Sequence, residues 1–307
     1  MIHPCRLIFS FEVQRERNLT RTFLNYTSQM SIIRTSFTHL GLNGPLNGDI
    51  HSVPAGIPRK GKIVFAHGFK GFKDWGAWAI MGDLFAAEGW EFVRFNFSHN
   101  GHVLPDLLEC NDEGAWSKNT YSKEKSDLEE ILLRASNSCG DGEKLVVMGH
   151  SRGGGVAALA AASSNVDGVI LLSSVSNFAS RFPSGDELER WRETDSLEVM
   201  NGRTLQILSH SFSFYEDYKL NADSLNIERA VRSLDIPMLS IHGDSDNAVC
   251  DDEGRALANW APRGKFVSIP DAGHTFGTSH PWTDLTLPKH AQEVFNQAKN
   301  FLEQIHN

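Results

Sequence analysis

The chain of 307 residues is poor in cysteine, in positive charge and in long apolar runs. Cys5, Cys110, Cys139 and Cys250 are scattered, with no C-x-x-C pair and no Cys/His cluster, so neither a disulfide framework nor a zinc or other metal site is indicated. Ordinary reduced thiols of a cytoplasmic protein are the simpler reading. No apolar stretch approaches the roughly 20 residues that cross a bilayer, and mean hydropathy is -0.30. A soluble chain without a membrane span is expected. Lys and Arg number 29 against 38 Asp and Glu, a net charge of -9, which argues against nucleic acid as the main partner. There is no G-K-[ST] and no G-x-G-x-x-G opening a helix, so phosphate-cradling loops are not indicated either.

The first 30 residues stand apart. Arg6, Arg15, Arg17 and Arg21 face only Glu12 and Glu16, without an apolar core or a small-residue cleavage site, which makes a poor secretory signal. Residues 1–30 are read as a poorly ordered extension, with Met30 as an alternative start, and residues 31–307 as the folded domain.

What is present is a core of 40% hydrophobic residues and one organising stretch, Leu145 to Val156. Four apolar residues run into Gly149-His150-Ser151-Arg152-Gly153, a G-x-S-x-G element, and an Ala-rich helical segment follows. Strand, tight turn and helix in that order form a nucleophile elbow. The glycines leave room for a strained turn that exposes Ser151. The helix N-terminus then aims the Arg152 N–H at a developing oxyanion.

Around this stretch the sequence alternates strands and helices. Ser31–Thr38 and Ile50–Val53 read as an antiparallel hairpin, followed by strands at Lys62–Ala66, Glu91–Phe97, Leu145–Met148, Gly168–Ser173, Pro237–His242 and Lys265–Ile269. Helices are expected at Trp75–Glu88, Ser122–Ser138, Asp251–Trp260 and Pro288–Ile305. Continuous apolar strands separated by helices imply an α/β fold with a mostly parallel sheet covered on both faces. From about 176 to 235 the rhythm breaks and no strand is evident, so this region is read as a helical cap insertion over the carboxyl edge of the sheet. Its aromatics Phe178, Phe182, Trp191, Phe212, Phe214, Tyr215 and Tyr218 either line a pocket or hold the cap down.

A serine hydroxyl needs a base and an orienting carboxylate. Both residue types follow strands on the same sheet edge as Ser151: Asp244 and Asp246 after the strand ending at Ile241, and His274 after the strand ending at Ile269. His99 and His102, on a loop with no carboxylate partner, read as solvated or structural. His280 and Trp282 are candidates for a pocket wall.

Gly149-His150-Ser151-Arg152-Gly153-Gly154, His242-Gly243-x-x-Asp246-x-x-Val249, Ala272-Gly273-His274 and His67-Gly68-Phe69 together resemble the α/β-hydrolase superfamily. The insertion and the Gly68–Asp74 stretch are most similar to its feruloyl-esterase-like and dienelactone-hydrolase-like members. The resemblance implies Ser151 as nucleophile, His274 as base, Asp246 rather than Asp244 as the acid, and the backbone N–H groups of Phe69 and Arg152 as the oxyanion hole. It gives His67 a loop-propping role and leaves the Arg152 side chain to solvent or a nearby carboxylate. The implied activity is hydrolysis of a small-molecule carboxylic ester through an acyl-enzyme, with no metal or organic cofactor. A thioesterase or a serine peptidase of the same fold is the alternative, the latter needing an amine-binding carboxylate such as Glu187, Glu189, Glu193 or Glu198. A non-catalytic small-ligand-binding module is a further alternative, and a homodimer stays open.

Overall fold

A computed structural model describes residues 32–202 and 205–306. The expectation for residues 1–30 lies outside the described residues. Eight strands form one sheet in the order β1-β2-β4-β3-β5-β6-β9-β10. They are β1 (Arg34–Leu40), β2 (Pro45–His51), β3 (Gly61–Ala66), β4 (Trp90–Phe95), β5 (Lys144–His150), β6 (Gly168–Leu172), β9 (Met238–Gly243) and β10 (Gly264–Ile269). The β1–β2 and β2–β4 pairs are antiparallel, and every pair from β4 across to β10 is parallel. The entry hairpin is tighter than its sequence suggests. Gly41 and Gly44 exchange backbone hydrogen bonds across the turn, so β2 begins at Pro45 rather than at Ile50.

The central parallel strands β3, β4, β6 and β9 are buried along their length, while the edge strand β10 is partly exposed, and the buried strands alternate side chains between two cores. Val64 and Ala66 of β3 face one core; Ile63 and Phe65 face the other. The first core is closed by α3 (Tyr121–Ser136), α4 (Arg152–Ala161) and α8 (Asp251–Trp260). The second is closed by α1 (Trp78–Ala87) and α9 (Lys289–His306). Helix α3 starts where Thr120 Oγ1 accepts the Lys123 N–H, an N-cap that fixes its register. A short helix that the sequence pattern did not indicate, α2 (Glu113–Ser117), precedes it, capped by Asp112.

Between β6 and β9 the insertion contains helices α5 (Asp186–Thr194), α6 (Ser213–Leu220) and α7 (Ile227–Arg232). It also contains an antiparallel hairpin, β7 (Leu197–Met200) and β8 (Ile207–His210), where no strand was expected. These strands are four residues long and half exposed, too short and mixed to give a strand signature. The insertion aromatics pack on one another and on the main domain. Tyr121 of α3 stacks on Phe178 at 3.8 Å, and Phe182 meets Trp191, Phe214, Tyr215 and Tyr218. Their role is to fasten the insertion rather than to stand free.

Candidate active site

Strand β5 delivers Ser151 into a turn with φ 57° and ψ -121°, immediately before α4. That backbone is in the left-handed half of φ, costly for a residue with a Cβ, and neighbouring glycines make it feasible. A Cβ on Gly149 would lie 2.2 Å from the Gly153 carbonyl oxygen, and one on Gly153 would lie 2.3 Å from that of His67. No side chain fits at either position. The Ser151 N–H donates to Leu172 O at 2.9 Å, which ties the turn to β6.

The loops after β9 and β10 bring Asp246 and His274 to this turn. His274 Nε2 lies 3.0 Å from Ser151 Oγ, and His274 Nδ1 lies 2.8 Å from Asp246 Oδ2. The Asp246 side chain is shielded from solvent, whereas the imidazole of His274 stays 23% exposed. Burial would raise the Asp246 carboxyl, but hydrogen bonds from His242, His274 and the Val249 N–H outweigh it and hold the group well below the ordinary aspartate range. It is therefore an anion facing the imidazole. Asp244 is exposed and accepts the Asp271 N–H at 2.7 Å, a bond that ties the loop after β9 to the loop after β10.

The loop after β3 closes against the same turn. A Cβ on Gly68 would stand 3.0 Å from Ser151 Cβ, so Gly68-Phe69 passes directly beside the serine. Arg152 begins α4, where the first amides of a helix have no intrahelical acceptor. Its side chain is not given to solvent. The guanidinium lies 3.9 Å over the Phe69 ring and reaches Glu124 Oε1 at 3.4 Å. Glu124 is itself buried, and burial raises its carboxyl despite the Arg152 charge.

Several positioning groups were not evident from the sequence. His150 Nε2 donates to the backbone oxygen of His274 at 2.9 Å, and burial, with the neighbouring His274, depresses its own protonation to a pKa of about 3. The Gly68–Asp74 loop is anchored by a buried network: Lys73 Nζ contacts Asp49 at 2.7 Å and Asp74 at 2.6 Å, while Arg94 pairs with Asp49 at 2.8 Å and also with Asp74. Charge alternation over such sequence distances leaves no local pattern. His67 is a prop, as expected: its ring donates to Gly68 O at 2.9 Å and is met by Asn100 Nδ2 at 3.2 Å.

Other candidates fall outside the cluster. His102 is buried, stacks on Phe72 and contacts Leu107 O, while His99 bonds Ser98 Oγ. His280 Nδ1 accepts the Gly76 N–H and Trp282 Nε1 donates to Thr286 O, so both stabilise loops. Glu187, Glu189, Glu193 and Glu198 are all exposed, and Glu189 pairs with Arg192. Among the described residues no group of three or more His, Cys, Asp or Glu side chains is arranged to hold a metal ion. None of their helices is long and apolar enough to cross a membrane.

The solved structure of Est1E from Butyrivibrio proteoclasticus with ferulic acid bound is similar to this chain, with a TM-score of 0.67 at 21% identity, covering 86% of this chain and 96% of that one. An esterase domain from Rhodothermus marinus superposes with a TM-score of 0.60 at 17% identity, covering 90% and 100%. A monoacylglycerol lipase from Paleococcus ferrophilus does so with 0.60 at 16%, covering 91% and 100%. At these identities the likeness concerns the fold. No curated protein matches the chain in sequence. The family model described as the alpha/beta hydrolase family matches residues 63–286, which span the elbow, both loops behind it and the whole insertion, and the chain therefore belongs to the alpha/beta hydrolase family.

Proposed function

We propose that this member of the family is a serine esterase in which Ser151, His274 and Asp246 act as one catalytic unit. The observation that carries this reading is the position of the His274 ring, 3.0 Å from the Ser151 hydroxyl on one side and 2.8 Å from Asp246 on the other. Such an imidazole takes the hydroxyl proton as Ser151 attacks an ester carbonyl, and Asp246 counters the charge that develops on the ring. Charge on the carbonyl oxygen is met by the backbone N–H groups of Phe69 and Arg152, which both border Ser151. The tetrahedral intermediate collapses, His274 returns the proton to the departing alcohol, and an acyl-enzyme remains. Water then attacks the acyl carbonyl, giving up its proton to His274, and releases the acid with Ser151 restored.

The insertion over Ser151 acts as a cap, and residues 31–307 make one catalytic domain with that cap built in. A small ester substrate is favoured over a peptide because the four cap glutamates that would capture a substrate amine are all exposed. The test is turnover of short-acyl p-nitrophenyl esters. Wild type is expected to hydrolyse them and to react with a fluorophosphonate probe, and Ser151→Ala to lose both, with kcat down by about 10⁴ or more. Turnover retained by Ser151→Ala would overturn the reading. Labelling of wild type without turnover would instead favour a ligand-binding module.

A further inference from the structure

Asp246 is approached by a second imidazole that the mechanism above does not use. His242, on β9, is fully buried, and its Nε2 lies 3.0 Å from Val249 O and 3.3 Å from Asp246 Oδ2. Two acceptors facing one ring nitrogen require that this nitrogen carry the proton. The other nitrogen, Nδ1, is buried without a hydrogen-bond partner and faces Gly254 of α8, where a Cβ would lie 2.5 Å away. A proton on Nδ1 would be a buried N–H without an acceptor, so the geometry assigns the donor role to Nε2. The loop closes on itself around this donor. Val249 accepts from His242 through its carbonyl and donates its N–H to Asp246 Oδ1 at 3.0 Å.

We propose that His242 is a positioning residue that shares Asp246 Oδ2 with His274 and so limits how tightly the carboxylate holds a proton on the His274 ring. The proposal rests on the triad reading above. It follows from competition for one oxygen: negative charge engaged by the His242 N–H is less available to His274. The other ionisable groups around the site are engaged elsewhere. His150 donates to His274 O, Asp244 accepts the Asp271 N–H, Asp251 pairs with Arg255, and Glu253 takes Ser176 and Arg181. Asp252 of α8 and Asp271 itself are exposed.

The experiment is the pH profile of kcat/KM for a p-nitrophenyl ester with His242→Leu and His242→Gln. Leucine fills the space without a donor, whereas the glutamine amide restores an N–H where Nε2 stands. With Leu the acid limb moves to higher pH by about half a unit, because the unshared carboxylate holds the His274 proton more strongly. kcat falls roughly tenfold with KM unchanged within about a factor of two. With Gln the limb returns to the wild-type position. A folded His242→Leu enzyme with an unmoved acid limb overturns the proposal, as does equal loss in both variants without a shift. Should the variants fail to fold, ¹⁵N-imidazole NMR of wild type decides: the Nε2–H tautomer at His242 is expected, and the Nδ1–H tautomer overturns it. Failure of the triad reading is seen separately, as absence of fluorophosphonate labelling and turnover in wild type.

Discussion

At the scale of single residues, the two aspartates after β9 have opposite surroundings. Asp246 is shielded and receives His274, His242 and two backbone amides; Asp244 is exposed and links its loop to the one after β10 through the Asp271 N–H. Asp246→Asn is expected to lower kcat by about 10³–10⁴, since an amide neither counters an imidazolium nor fixes its tautomer. Asp244→Asn, in contrast, keeps an oxygen acceptor for the Asp271 N–H and should change kcat by no more than about threefold. Steady-state kinetics on the two purified variants checks both. The serine, the histidine and the pair of aspartates were legible because each follows a strand directly. The choice within the pair came from family resemblance, and the shielding that distinguishes the two is a property of the packed loop.

At the scale of elements, the insertion is secured through aromatic contacts, and its small hairpin takes part in them through His210 of β8, which stacks on Phe69 and Trp116. Trp191 of α5 is 1% exposed, donates its Nε1–H to His210 O at 2.8 Å and packs against Phe182 and Phe212. Trp191→Ala removes both the buried ring and the hydrogen bond, a loss of about 3–5 kcal/mol. The variant should show a lowered Tm and early proteolytic cutting within residues 186–210, followed by gel and mass spectrometry, while the sheet core stays protected. The aromatic content of this region was visible in the sequence, but not which partners the rings choose. Tyr121, which takes Phe178 and Phe214 against its ring, lies on α3, more than fifty residues earlier in the chain.

For the whole molecule, buried histidines set a pH dependence of stability. His67, His150 and His210 are each held to a pKa of about 3, chiefly by burial. Below the ordinary histidine value of about 6.5 the unfolded chain takes up protons that these folded rings refuse, so stability is full above that pH and is lost as pH falls from 6.5 toward 3. Tm followed by calorimetry is expected to be level between pH 7 and 8 and to drop steeply from pH 6 to 4. His210 stacks on both Phe69 and Trp116, which also stack on each other, and feels the Arg152 charge. His210→Phe keeps the stacking and removes the titration, so its Tm gain should be larger at pH 5 than at pH 8. A gain of equal size at both values would exclude this cause.

Glycine sterics, apolar runs and strand-loop order act over a few residues, so the alternation of strands and helices, the strained turn at Ser151 and the position of Asp246 and His274 after strand ends could be read from the chain alone. The packed fold sets the rest: Arg152 lies on Phe69 and Glu124, Lys73 and Arg94 anchor the loop beside the serine, and His150 and His242 meet His274 and Asp246. Those pairings join side chains from separate elements, and their energies arise from burial and hydrogen bonding that exist only once the sheet has assembled.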